Sequence, residues 1–140
     1  MARNAKQLDR LLRVRTLQLG MSRADEARAR DKRASEIALA GRIASLAEGV
    51  APVQETASGF SLVAAAHFRS RLHQSAQMAE TRLREAEKIV ERAAEAAREA
   101  KRDQSAVEKL MARADAEDVL KAIRALEAAP PVRKIRHDPC

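Results

Sequence analysis

From residue 60 to about residue 128 the chain contains neither Gly nor Pro, and across that stretch one spacing repeats. Starting at Leu72 and stepping four residues, then three, the positions are Leu72, Ala76, Ala79, Leu83, Ala86, Val90, Ala93, Ala97, Ala100, Gln104, Val107, Met111 and Ala114. Twelve of these thirteen are apolar. A strict seven-residue repeat of this kind is the mark of a left-handed coiled coil, because it holds one apolar line on one side of a slightly underwound helix. The flanks carry charges at helical spacings, such as Glu80 with Arg84 and Glu95 with Arg98. Each such pair adds only a few tenths of a kcal/mol.

The rest of the composition narrows the class further. The chain has no Trp, no Tyr and two Phe (Phe60, Phe68), and charged residues make up 34% of its 140 positions. A compact α/β or β-sheet domain uses aromatic and β-branched residues that are scarce here. Alanine, Glu, Leu, Lys and Arg dominate, which is the composition of long helices. The longest purely apolar run, Leu62 to Ala66, is far short of the ~20 residues of a membrane span. Met1 to Lys6 has no apolar signal core. The single Cys140 has no internal partner for a disulfide. A cytosolic chain is expected.

Residues 4 to about 49 also lack Pro and form a second helical segment. Leu39, Ile43, Leu46 and Val50 are spaced four, three and four, which sets them along one helical face. Apolar residues gather at the two ends of this segment, and between residues 22 and 36 only alanines are apolar. No single apolar heptad covers it, so at least one stutter is expected. Gly49, Pro52, Ser58 and Gly59 cluster between the two segments, so a turn is expected at about 50–58. Pro130, Pro131 and Pro139 predict a flexible basic tail at 129–140.

The expected fold is therefore all-α: one long antiparallel two-helix coiled-coil hairpin with a longer second helix (about 4–49 and 59–128). Its alanine-rich seam predicts a strongly helical but marginally stable chain. A turn centred near Pro52 would leave residues 101–128 of the second helix without an internal partner. That stretch carries Val107, Leu110, Met111, Val119, Leu120, Ile123 and Leu126, which predicts contact with another protein.

No grouping of residues suggests catalysis, a metal or a cofactor. His67 and His73 are six apart, on different helix faces, and His137 with Cys140 makes only two ligands. Glu91, Glu95 and Glu99 form a row on a solvated face with no pocket to shift their acidity. The net charge of +7 divides as +5 in residues 1–50, zero in 51–100 and +2 in 101–140. The basic run at Arg3, Lys6, Arg10, Arg13 and Arg15 is interrupted by Leu8, Leu11, Leu12 and Val14. That pattern suits an acidic protein surface better than nucleic acid, for which no stacking aromatics are available.

Two segments carry a family resemblance. Leu11-Leu12-Arg13-Val14-Arg15-Thr16-Leu17-Gln18 and Ala106-Val107-Glu108-Lys109-Leu110-Met111-Ala112-Arg113 resemble the opening and the second-helix segment of the FliJ family. These are coiled-coil components of the flagellar type III export apparatus, related to the YscO-type stalk proteins of injectisomes. The resemblance implies a central stalk, cytoplasmic and peripheral to the inner membrane. Its termini end would enter the export ATPase ring and promote ring assembly and activity. Its turn end would reach the export gate, with export chaperones as further partners. On this chain it implies ATPase contacts at Leu8, Leu11, Leu12, Arg15, Val107, Leu110, Met111 and Arg113. It implies gate contacts at Leu39, Ile43, Leu46, Val50, Phe68, Leu72 and Ala79. Seam packing competes with partner contact at these positions, most strongly at Leu39, Leu46 and Leu72. Phe68, one step off the seam, is expected to be exposed. A homodimeric coiled-coil scaffold and a basic nucleic-acid-associated coil are the alternative readings.

Overall fold

Two helices account for nearly all of the described backbone. In the computed structural model α1 runs Ala2–Gly49 and α2 runs Gly59–Glu127, 48 and 69 residues long. At ~1.5 Å per residue these are about 72 and 104 Å of helix. Backbone is described for residues 2–50 and 59–130, and side chains for 5–50 and 62–130. From residue 51 the expected turn lies outside the described residues, as does the expected basic tail from residue 131. No strand occurs among the described residues.

The helices persist over such lengths because nothing interrupts them. α1 contains no Pro, and Gly20 and Gly41 sit in it without any close neighbour. Same-helix pairs line the surface, among them Arg13 with Asp9 at 2.9 Å, Arg28 with Asp25, Arg84 with Glu80, and Arg98 with Glu95 at 2.6 Å. α2 closes with Ala128 N–H donating to the Arg124 carbonyl at 3.0 Å and Ala129 N–H to the Leu126 carbonyl at 3.2 Å. The tightened last bond satisfies an end carbonyl just before Pro130, which cannot continue the helix.

The chain divides into two compact units, one of residues 17–101 and one of residues 1–16 with 102–140. In the 17–101 unit, Leu19, Ala29, Leu72, Ala79, Ala86 and Ala97 are buried. Arg33 of α1 lies 3.6 Å from Glu87 of α2, and Glu36 lies 4.0 Å from Arg82. In the other unit Val107 is buried, Arg15 meets Asp103 at 2.9 Å, and Gln104 Nε2 donates to Thr16 Oγ1 at 3.2 Å. In both units the α2 number falls as the α1 number rises, so the pairing is antiparallel. The numbers in each cross-helix pair add to 118 or 120.

The thirteen four-three positions of α2, from Leu72 to Ala114, are all buried or half-buried. The expected seam is the observed one. α1 departs from expectation, because it has no stutter. Its line runs Leu8, Leu12, Arg15, Leu19, Ser22, Glu26, Ala29, Arg33, Glu36, Ala40, Ile43, Ala47 and Val50 in one unbroken four-three rhythm. Only Arg33 and Ala47 of these are exposed. The apolar pattern breaks, but the helix does not change phase. Polar side chains occupy seam positions, and three of them meet charged partners on α2: Arg15 with Asp103, Arg33 with Glu87 and Glu36 with Arg82.

Register corrects a second expectation. Pairing is centred near residues 59 and 60, not Pro52, so α1 covers α2 well beyond residue 100. Leu8 lines a common cleft with Met111, and Ala5 with Ala114. The unpartnered end of α2 therefore begins near residue 118.

Candidate partner-binding surface

The fifteen residues singled out from the sequence fall into two groups, those in the seam and those on its flank. Toward the termini end, Leu8, Leu12 and Met111 are half-buried and Val107 is buried, all within the seam. Arg15 is also a seam position, held by its ion pair with Asp103. Leu11, Leu110 and Arg113 are exposed. In the 17–101 unit Leu72 and Ala79 are buried in the seam, and Ile43 and Val50 are half-buried there. Leu39, Leu46 and Phe68 are exposed, Phe68 at 50%. Leu39 and Leu46 therefore do not share the seam face with Ile43 and Val50. Each sits one position ahead of a seam alanine, Ala40 or Ala47.

That offset recurs. Leu11 precedes Leu12, Leu110 precedes Met111, Ile89 precedes Val90, and all three leading residues are exposed. In an antiparallel pair, the position just before a seam residue faces the same side on both helices. Leu11 and Leu110 are thus neighbours on one flank, at one level of their unit. Val14, 49% exposed, extends that patch. Sequence reasoning passed over Val14, although its place three residues after Leu11 repeats the seam's own rhythm one step to the side. The opposite flank, one position after seam residues, is more polar, with Ile37 its one large apolar residue among the described residues. It carries Asp9, Thr16, Arg23 and Arg30 on α1, and Glu80, Glu87, Lys101 and Glu108 on α2.

At the open end of the termini unit a cleft of about 200 Å³ lies between Ala5, Leu8, Met111 and Ala114, with Asp115, Glu117, Asp118 and Lys121 at its rim. Its floor is apolar and its rim mainly acidic. Beyond it Val119, Leu120, Ile123 and Leu126 are exposed on α2.

The remaining polar chemistry is that of a solvated coil. His73 is hydrogen-bonded to Gln77 at 3.2 Å along its own helix. Among the described residues no three His, Cys, Asp or Glu side chains come together as metal ligands. No described helix is long and apolar enough to cross a membrane. Glu36 Oε2 is buried without a hydrogen bond, with Arg82 Nε 4.0 Å away.

No family model, no curated protein and no solved structure matches this chain.

Proposed function

We propose that the chain is the central stalk of a flagellar or related type III export apparatus. In this reading it binds the export ATPase ring through the termini end of the hairpin and links the ring to the export gate, with export chaperones as further partners. The observation that carries it is the apolar flank of the termini unit. Leu11, Val14 and Leu110 stand exposed on a two-helix post whose seam is already filled by Leu8, Leu12, Val107 and Met111. Side chains that the hairpin does not use are available to a partner. Arg113, exposed nearby, adds a positive charge for an acidic surface. Phe68, Leu39 and Leu46 are the corresponding gate-facing residues.

The test is titration of a purified flagellar export ATPase with this chain. The expected result is stimulation saturating near one chain per ring, lost in the Leu11→Asp, Leu110→Asp double variant. Both substitutions fall on exposed positions, so circular dichroism should be unchanged. A stalk should also remain a monomer when alone. A chain that dimerises with rising concentration and leaves the ATPase unaffected is a coiled-coil scaffold, the second reading, which the exposed Leu17 and Met21 of α1 would then serve.

A further inference from the structure

The two flanks of the seam differ sharply in the 17–101 unit, between Glu36 and Val50 on α1 and between Arg69 and Leu83 on α2. On one flank, the ten positions just before a residue of the seam rhythm hold four large apolar side chains (Leu39, Leu46, Phe68, Met78) and three arginines (Arg42, Arg71, Arg82). The other three are two serines and a glycine, so none of the ten is a carboxylate, and all ten are exposed. Arg82 is 52% exposed even while it meets Glu36 at the seam edge. On the opposite flank, the described positions just after seam residues hold Glu48 and Glu80. Their one cation is Arg84, which pairs with Glu80.

Positions just before seam residues face one side on both helices, so the first set shares a single surface. Cations and apolar side chains alternate along it about one helical turn apart. Arg42 lies three residues after Leu39 and four before Leu46, Arg71 three after Phe68, and Arg82 four after Met78. We propose that this flank lies against an anionic lipid surface. The four apolar side chains enter the boundary between headgroups and acyl chains, and the three guanidinium groups meet lipid phosphates.

Charge and shape select this occupant. An anionic surface attracts a flank with three cations and no carboxylate, and nothing on the flank repels it. The flank is shallow. One open groove runs beside Arg42 and Leu46, a second beside Met78 and Arg82, and neither has a carboxylate in its lining. A bound peptide takes its affinity from a deep apolar groove or a free strand edge, and the described residues of this flank offer neither. A lipid interface needs only a broad face whose apolar side chains sink about 5–10 Å. No described helix is long and apolar enough to cross a bilayer, so the contact runs along the surface. Exposed apolar residues alone do not select the site. Val119, Leu120, Ile123 and Leu126 are also exposed, but residues 115–127 carry four carboxylates against two cations.

The chain has no Trp, so one introduced Trp reports its own surroundings. Phe68→Trp stands on the proposed flank and Ile37→Trp on the opposite one, both at exposed positions. With phosphatidylglycerol vesicles at low salt, Phe68→Trp emission should shift to the blue and be quenched by lipids brominated in their acyl chains. Ile37→Trp emission should do neither. Adding Arg42→Gln and Arg71→Gln to Phe68→Trp should weaken vesicle binding about fivefold for each cation removed. Binding should also fall in 1 M salt, where the screening length is about 3 Å. No response of Phe68→Trp to these vesicles overturns the proposal. An equal response of Ile37→Trp also overturns it, because it would mean undirected attraction of a chain of net charge +7. So does an undiminished response to phosphatidylcholine vesicles, which would remove the role of the arginines. A response to poly-glutamate with none to vesicles would assign the flank to an acidic protein instead. The proposal shares Leu39, Leu46 and Phe68 with the gate end of the stalk reading but does not rest on it. Vesicle binding and ATPase stimulation are read separately, so either can fail alone.

Discussion

α1 and α2 contribute unlike halves to the same seam. Along α2 the seam is Leu, Val, Met and Ala with a single Gln at position 104, whereas along α1 five of thirteen seam positions are polar (Arg15, Ser22, Glu26, Arg33, Glu36). Both lines keep the same rhythm. One helix supplies a smooth apolar track, and the other supplies apolar anchors at its ends with a polar middle between them. Level with Leu83, Ala86 and Val90 of α2 stand Glu36, Arg33 and Ala29 of α1. Burial per residue is therefore low in the middle of the hairpin. Cross-helix ion pairs, 3.6 and 4.0 Å long, stand where a more stable coil would place Leu or Ile. The contrast suggests that α2 sets how the helices pack and α1 sets how loosely they are held.

The largest test of this difference is Leu19→Ala. Leu19 is 5% exposed and is the only large apolar residue in α1's seam between Leu12 and Ile43. Removing a well-buried Leu costs about 2–5 kcal/mol, and a thin two-helix seam that can partly collapse puts the expectation near the lower figure. Urea unfolding followed by circular dichroism measures it. A loss under ~1 kcal/mol would mean that α1's polar middle holds the helices as well as its anchors do.

The opposite change is the next in size. Glu36→Leu replaces a side chain 16% exposed, whose Oε2 has no hydrogen bond, with one that can pack at the level of Leu83. Exchanging buried charge for well-packed apolar bulk is often stabilising by 1–4 kcal/mol. Arg82 is 52% exposed and recovers water when its partner goes, so a gain of about 1 kcal/mol is expected here. A loss in the same urea measurement would show the Glu36–Arg82 pair to be a stabilising contact.

How far the sequence reveals the fold follows the same division. On α2 the seam was legible residue by residue, since an apolar line at a strict seven-residue repeat admits one phase. On α1 the phase was hidden, because Arg15, Glu26, Arg33 and Glu36 read as surface residues although they sit at seam positions. Leu39 and Leu46 then misled for the complementary reason: they are the larger side chains, yet Ala40 and Ala47 hold the seam positions beside them. A close helix pair admits alanine at the seam, and leucine goes to the flank. The register was beyond reach as well, since Pro52 marks where α1 cannot continue but not where the pairing is centred. Of the candidate surface, Phe68 was legible as a residue one step off the seam, while Val14 needed α1's phase to be recognised.

Gly41→Ala separates helix propensity from packing. A Cβ at Gly41 would have nothing within 4 Å, so the substitution touches no neighbour. It removes backbone freedom from the unfolded chain and should stabilise by about 0.5–1 kcal/mol. Gly20, equally open, should respond alike. A gain at Gly41 with none at Gly20 would place the unfolding transition in the 17–101 unit's α1 segment nearest Gly49 rather than along the whole helix, and thermal melts of the two variants compare them directly.

The smallest expected effect bears on register. Arg15 and Asp103 meet at 2.9 Å, with side chains 37% and 44% exposed, next to the Gln104–Thr16 hydrogen bond. Exposed pairs of this kind contribute about 0.2–1 kcal/mol, and screening takes most of that at high salt. A double-mutant cycle with Arg15→Ala and Asp103→Ala should give a coupling in that range at low salt and close to zero in 1 M salt. The pair's contribution then lies in choosing which residues stand opposite each other. An alanine-rich seam resists sliding weakly, because its steps are small and similar. A one-heptad slip would move Arg15 away from Asp103 and Thr16 from Gln104 together. If the coupling is absent even at low salt, the polar contacts are consequences of the register, and the larger side chains of the same unit (Leu8 and Leu12 against Val107 and Met111) must set it.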